Sequence, residues 1–345
     1  MLRNSVALLA CGLVFAAPSA SRAGPQVDSS ALLQKFEPVL LFHPQEDWSP
    51  ERADGFVGRA RVERQVAHGT WSSVPPPLPT STSGCAYTPC YRFNLPCALK
   101  AGDACYEASR AAITDWTQHP VVYGRFLSVP SGTAPLPGFS SPPRYLVRYW
   151  LFYDFDDWRS PRRRLWQAHE GDWESVTIGL SAALQPQFAA YSEHCSGTIR
   201  PWANVAKRGT THPVDYVALG SHANYFSSST NSTKLTECLR RYLDRPEFAR
   251  ARSIVKLAED RIVDRMGTAH PSGPSGLGGT TPLELVELTK PLPQWASFPG
   301  RWSEGQLLWL GATPRRLTSI METGGPATPN WNGTSIPSYW HASAS

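Results

Sequence analysis

The stretch "WQAHEGDWESVTIGL", Trp166 to Leu180, decides the fold. Its second half alternates like a strand, with Val176, Ile178 and Leu180 on one face and Ser175, Thr177 and Gly179 on the other. Counting back by twos puts Asp172 and Glu174 on the Val/Ile/Leu face, the face that a β-sandwich would bury. A buried carboxylate is costly unless it is neutralised, paired or bound to a cation. Gly171 lets the chain bend, so that His169 can swing over the site that the two carboxylates face.

Working outward, the same design repeats. "RYLVRYWLFYDF" (Arg144 to Phe155) and "PVVYGRFLSV" (Pro120 to Val129) read as strands upstream. "LLQKFEPVLLFHPQEDWSP" (Leu32 to Pro50) reads as a short helix and then a buried strand ending at His43. Downstream, "QFAAYSEHCSG" and "VDYVALGSHANYF" are apolar strands that close in Ser/His/Gly clusters at His194 and His222. The stretch "DDWRSPRRRLWQ" reads as a basic loop, either a headgroup-binding loop or a solvated one whose arginines pair with nearby acids. Residues 66–110 are rich in Pro, Ser and Cys and read as a disulfide-stapled insertion. Residues 234–280 read as a helical insertion that packs on the sandwich. The expected fold is mainly β: one β-sandwich domain over 24–345 carrying these two insertions.

The chain opens with "MLRNSVALLACGLVFAAPSASRAGP", which reads as a secretory signal peptide over 1–23, cleaved after Ala23. No later apolar run approaches the ~20 residues of a membrane span. With Arg3 and Arg22 removed, 31 Lys+Arg face 28 Asp+Glu, a net of +3, too mild for a nucleic-acid partner. The expectation is a secreted, extracellular or periplasmic, monomeric protein. Six cysteines remain after cleavage, an even number that suits disulfides in an exported chain. The simplest pairing has two bridges among Cys85, Cys90, Cys97 and Cys105, and a third between Cys195 and Cys238. Asn231 and Asn332 head glycosylation sequons, which matter only in a eukaryotic secretory route.

His169, Asp172 and Glu174 form an H-x-x-D-x-E array, and "YDFDD" supplies Asp154, Asp156 and Asp157 on a neighbouring strand end. One imidazole and several carboxylates suit a divalent cation, Mg, Ca or Mn, with zinc as the alternative. The competing reading pairs Asp172 and Glu174 with Arg162 to Arg164 and leaves the histidines as ordinary strand-end residues. "HEGDW" lacks the second His of an HExxH helix, and no G-x-S-x-G elbow occurs.

"HEGDWE" resembles the end of the GHRHDWE heptapeptide of the necrosis- and ethylene-inducing peptide-like toxins. That resemblance implies His169, Asp172 and Glu174 as cation ligands, with Asp156, or next Asp154, as the upstream Asp. Ala168 and Gly171 stand where the heptapeptide has Gly and its second His. Over residues 36–310 the chain also resembles the vacuolar protein sorting 62-like family, through "LFHPQEDWSP", "RYWLFYDFDDW", "HEGDWESVTIGL", "AYSEHCSG", "VALGSHANYF" and "FPGRW" in that order. Two functions follow as expectations. One is recognition of membrane lipid headgroups or glycans, of which a cytolytic toxin is one form. The other is a metal-dependent hydrolase whose cation activates water, with His194, His222 or Glu170 as base.

Overall fold

The computed structural model describes residues 27–97, 104–113, 120–159, 165–193, 196–228, 269–274, 276–278, 281–303, 306–310, 327–336 and 341–342. Helix α1 (Ser29–Lys35) leads to strand β1 (Val39–Phe42), helix α2 (Ala53–Arg59), β2 (Arg61–Ala67), β3 (Thr70–Ser73), β4 (Tyr91–Asn94) and helix α3 (Ala104–Ile113). Then come β5 (Val121–Ser128), β6 (Tyr145–Arg159), β7 (Leu165–Leu180), β8 (Pro186–Glu193), β9 (Ser196–Pro201), β10 (Lys207–Arg208), β11 (His212–Val217) and β12 (Asn224–Tyr225). The last strands are β13 (Ala269–Ser272), β14 (Glu284–Glu287), β15 (Gln306–Leu310) and β16 (His341–Ala342). The protein is mainly β, as the alternating patterns require.

The central sheet has eight strands in the order β14-β5-β6-β7-β8-β9-β16, with β15 also on β7. A second sheet runs β10-β11-β1-β13 with β12 on β11, and a small third one runs β3-β2-β4. β6 and β7 form a long antiparallel pair from Tyr145 opposite Leu180 to Arg159 opposite Trp166, interrupted once, at Asp154 and Gly171. Cross-strand partners share a face, so this register sorts the described side chains on the pair.

The inner face carries Val147, Tyr149, Leu151 and Tyr153 of β6, with Val176, Ile178 and Leu180 of β7, all fully buried. It packs against α1 and the second sheet: the Tyr149 hydroxyl donates to the Leu33 carbonyl, and the Tyr191 hydroxyl to the Val214 carbonyl. The outer face carries Trp150, Phe152 and Trp173. An aromatic cluster covers it: the Trp302 ring centre lies 5.1 Å from Phe152, 5.3 Å from Trp173, 5.0 Å from Phe93 and 5.7 Å from Phe56.

Two expectations change in detail. The Cys-rich stretch is more than a loop: it contributes to the β3-β2-β4 sheet and ends in α3, with disulfides Cys85–Cys90 and Cys97–Cys105 as expected within the cluster. The expected basic loop is mostly strand, because β6 runs on to Arg159 and β7 begins at Leu165. The region 234–280 lies largely outside the described residues, but within it Ala269–Ser272 is strand β13, paired with β1. The signal peptide, Arg162 to Arg164, His194 and the Cys195–Cys238 pairing also lie outside them. No helix among the described residues is long and apolar enough to cross a membrane.

Candidate functional site

The register puts Tyr153 opposite Asp172 and Leu151 opposite Glu174, so both carboxylates stand on the inner face, with Asp172 6% and Glu174 3% exposed. Asp156 is opposite His169, and the alternation puts this second pair on the outer side of the same strands. There His169 Nε2 lies 3.5 Å from Asp156 Oδ2, while His169 Nδ1 donates to the Glu170 carbonyl at 3.0 Å. Asp156 Oδ1 also accepts from the Trp158 amide at 3.0 Å. Asp154, likewise outward, pairs with Arg59 of α2. Glu170 is fully buried, and its amide donates to Ser303 Oγ at 3.3 Å. Gly171 has φ +55°, and a Cβ there would stand 2.6 Å from the Trp302 carbonyl oxygen. Gly171 does take a backbone conformation that only glycine adopts freely, and it fits the chain under Trp302, but it leaves His169 beside Asp156 and not over Asp172 and Glu174 as expected.

What meets Asp172 is His222. The turn after β11 carries Gly220 at φ +77° and His222 at φ +54°, a left-handed conformation that a non-glycine residue adopts only under constraint. Gly220 sits against β6: its carbonyl accepts from the Asp157 amide at 2.8 Å, and a Cβ would be 2.3 Å from the Asp157 carbonyl oxygen. This docking delivers the His222 ring onto Tyr153, stacked at 3.8 Å and 6°. His222 Nδ1 donates to Asp172 Oδ2 at 3.1 Å. On the other side Nε2 lies 3.7 Å from Glu46 Oε1, within ion-pair range but too far for a hydrogen bond. Burial alone pushes the imidazole pKa down, but the bond to Asp172 and the Glu46 carboxylate outweigh it and raise it to about 10. At neutral pH His222 is therefore an imidazolium, a proton donor and not a base.

Glu46 follows β1 in the "FHPQEDW" segment. Its Oε2 accepts from the Gly220 amide at 2.7 Å, and its Oε1 from the Asp47 and Trp48 amides at 3.0 Å each. Glu174 accepts from Ser192 Oγ, to which Asn224 Nδ2 also donates at 3.3 Å. Asp215 of β11, fully buried, accepts from the Tyr225 amide through Oδ1 at 3.2 Å. Burial, and then Glu193, raise its pKa well above the usual carboxylate range, against that one hydrogen bond.

Tyr153 joins these groups. Its phenol pKa is pushed well up by burial and then by the charges of Asp215, Glu46, Asp172 and Glu174. Four buried atoms here have no hydrogen-bond partner among the described residues: Tyr153 Oη, Asp215 Oδ2, His222 Nε2 and Asn224 Oδ1. The motif supplied Asp172 and Glu174, and the strand-end cluster supplied His222. Reading the motifs alone missed Glu46, Asp215 and Tyr153. Asp215 was visible as a lone acid in the apolar run "HPVDYV", the same signal that singled out Asp172.

Among the described residues no three His, Cys, Asp or Glu side chains stand close enough together to hold a metal ion as they are placed. The chemistry of the donors is another matter: four carboxylates, an amide oxygen and a phenol around one imidazole are the oxygen-rich company of a hard divalent cation.

No family model and no curated protein matches the chain, so its resemblance to the vacuolar protein sorting 62-like family rests on the motifs alone and is not supported by comparison. Among solved structures the chain is similar to Necrosis and Ethylene inducing Protein 2 from the causal agent of cocoa's Witches Broom disease. The two are 19% identical, over 57% of this chain and 67% of that one, with a TM-score of 0.27.

Proposed function

We propose that this chain is an exported, divalent-cation-dependent recognition protein, with membrane lipid headgroups or glycans as its target class. One observation carries the reading: Asp215, Glu46, Asp172 and Glu174 all act on the buried, unpartnered Tyr153 hydroxyl on the inner face. So much buried negative charge beside one imidazolium calls for protons or a cation. Asp172 and Glu174, completed by Glu46 and Asp215, would hold that cation, and it would supply positive charge at the centre of the cluster. The outward His169–Asp156 pair is the alternative position.

The two disulfides fit an oxidising compartment. The target class, and cytolytic action as its strongest form, come from the likeness of "HEGDWE" to the toxin heptapeptide. Burial favours recognition over hydrolysis. A hydrolytic cation needs an open position for water, whereas all four carboxylates are less than a tenth exposed.

The test is retention on vesicles of varied lipid composition and on immobilised glycans, with calcium or magnesium and with chelator. Cation-dependent retention that is lost in Asp172→Asn is expected. Retention indifferent to chelator, or none on any surface with cation present, would overturn the reading.

A further inference from the structure

On the outer face, away from the acidic cluster, β5 and β6 set Arg125 directly opposite Arg148. Such partners lie about 5 Å apart, and like charges there are destabilising. Both arginines are buried, 7% and 9% exposed. Arg125 Nη1 donates to the Leu288 carbonyl at 2.9 Å and Nη2 to Asn332 Oδ1 at 2.7 Å. Arg148 Nε donates to Thr177 Oγ1 at 2.9 Å, Nη1 to the Gly333 carbonyl at 2.9 Å and Nη2 to the Ser335 carbonyl at 3.3 Å. The Arg148 guanidinium also stands 5.8 Å from the centre of the Trp150 ring. Every one of these partners is neutral.

Two buried cations side by side, with no carboxylate bonded to either among the described residues, are the converse of the inner face. Burial lowers both pKa values, that of Arg148 to about 10, and no acid among the described residues offsets it. A guanidinium has five N–H donors, so each arginine keeps donors beyond those bonds. The segment Trp331–Ile336 lies over the pair, with Trp331 packed on Trp150 at 4.9 Å. Within that cover Asn332 and Ser335, which bond the two arginines, are themselves exposed to solvent.

We propose that Arg125 and Arg148 form a binding site for a tetrahedral oxyanion, a phosphate or sulfate group, beneath this segment. Paired guanidinium forks match the oxygens of such a group, and its charge offsets both cations in a place where neither has another counter-ion among the described residues. The bonds to Leu288, Asn332, Gly333 and Ser335 hold the forks in place. Phosphate and sulfate occur free, on lipid headgroups and on glycans, and the chemistry of the site is common to all three. The proposal does not depend on the cation at the inner face.

The test is thermal unfolding of the full chain, titrated with sodium phosphate, sodium sulfate or sodium chloride at matched ionic strength, beside calorimetric titration with inorganic phosphate. Saturable stabilisation by low-millimolar phosphate or sulfate, a rise of several degrees that chloride does not give, is expected. Arg125→Gln should remove it, and Arg125→Lys, which keeps the charge but loses the fork, should weaken it at least tenfold. Vesicles with and without a phosphoinositide then separate a membrane source from the free ion: retention by the phosphoinositide alone marks the headgroup, and its absence beside a phosphate response marks the free ion. Equal responses to phosphate and chloride, or a full response in Arg125→Gln, would overturn the proposal and leave the arginines as a clamp on Trp331–Ile336. Should Arg125→Gln not fold, no heat of phosphate binding to the unaltered chain would overturn it equally.

Discussion

His222 concentrates the physics of the site in one residue. Its φ of +54° belongs to the left-handed region, a conformation that costs of order 1–3 kcal/mol outside glycine. The surroundings that impose it are the Asp172 hydrogen bond, the Glu46 carboxylate and the Tyr153 ring. Because the folded pKa is about 10 and the ordinary value is 6.5, folding favours the protonated ring. The sign follows from linkage: the contribution is complete below the unfolded pKa and is lost as pH rises through the folded one. Each unit of a raised pKa corresponds to about 1.4 kcal/mol. In chelator-treated protein the melting temperature should therefore fall steadily from pH 6.5 to pH 10. His222→Gln should melt lower at pH 6.5 and show a shallower fall. A melting temperature flat across that range in the unaltered chain would mean that Asp172 and Glu46 do not hold the proton on His222. The sequence showed His222 as a strand-end histidine. It could not show the partner, because 50 residues separate His222 from Asp172 and only the docking of Gly220 on β6 brings them together.

At the scale of elements, local pattern carried what local physics decides. The alternation through Val176, Ile178 and Leu180 placed Asp172 and Glu174 on the buried face, and the strand register bears this out. It could not say that His169, three residues before Asp172, falls on the other side of the strand, because the effect of a glycine bend depends on what covers it, here Trp302. The cysteine cluster was legible as a staple but not as a sheet, since the β2–β4 pairing joins strands on either side of the Pro-rich run. Bridge Cys97–Cys105 anchors the start of α3, whose Tyr106 hydroxyl donates to Asp157 Oδ2 at 2.6 Å. The Tyr106 ring meets Trp48 edge-on at 5.1 Å. α3 thus braces the ends of β6 and of the segment that carries Glu46. Closing so short a loop stabilises by about 2–3 kcal/mol. Replacing both Cys97 and Cys105 by Ser should lower the unfolding free energy in denaturant melts by about that much. A loss below ~0.5 kcal/mol would show that α3 is held by its Tyr106 contacts and not by the bridge.

Across the whole molecule, one central sheet buries a carboxylate cluster on its inner side and, on its outer side, the Arg125–Arg148 pair at one end, with Asp154 and Asp156 farther along β6. A net charge of +5 over 345 residues conceals this division completely, because composition sums what the fold separates. The motif array faced the same limit. Four residues read as one ligand set fall on two sides of β6 and β7, Asp172 and Glu174 inward, Asp156 and His169 outward. The two positions can be told apart, since a ligand that binds only the folded state stabilises it in proportion to its occupancy. Titrating chelator-treated protein with calcium, magnesium or manganese should raise the melting temperature saturably. Asp172→Asn should abolish the rise, and Asp215→Asn should shift its midpoint at least tenfold to higher cation. Asp156→Asn and His169→Gln should leave the midpoint within about twofold, because the inner carboxylates, with a fully buried Asp215 and, among the described residues, only His222 paired with them as a cation, have more to gain from a cation than an outward pair that already share a contact. If the outward variants abolish the response while Asp215→Asn does not, the cation belongs at His169 and Asp156, and the inner carboxylates are neutralised by protons alone.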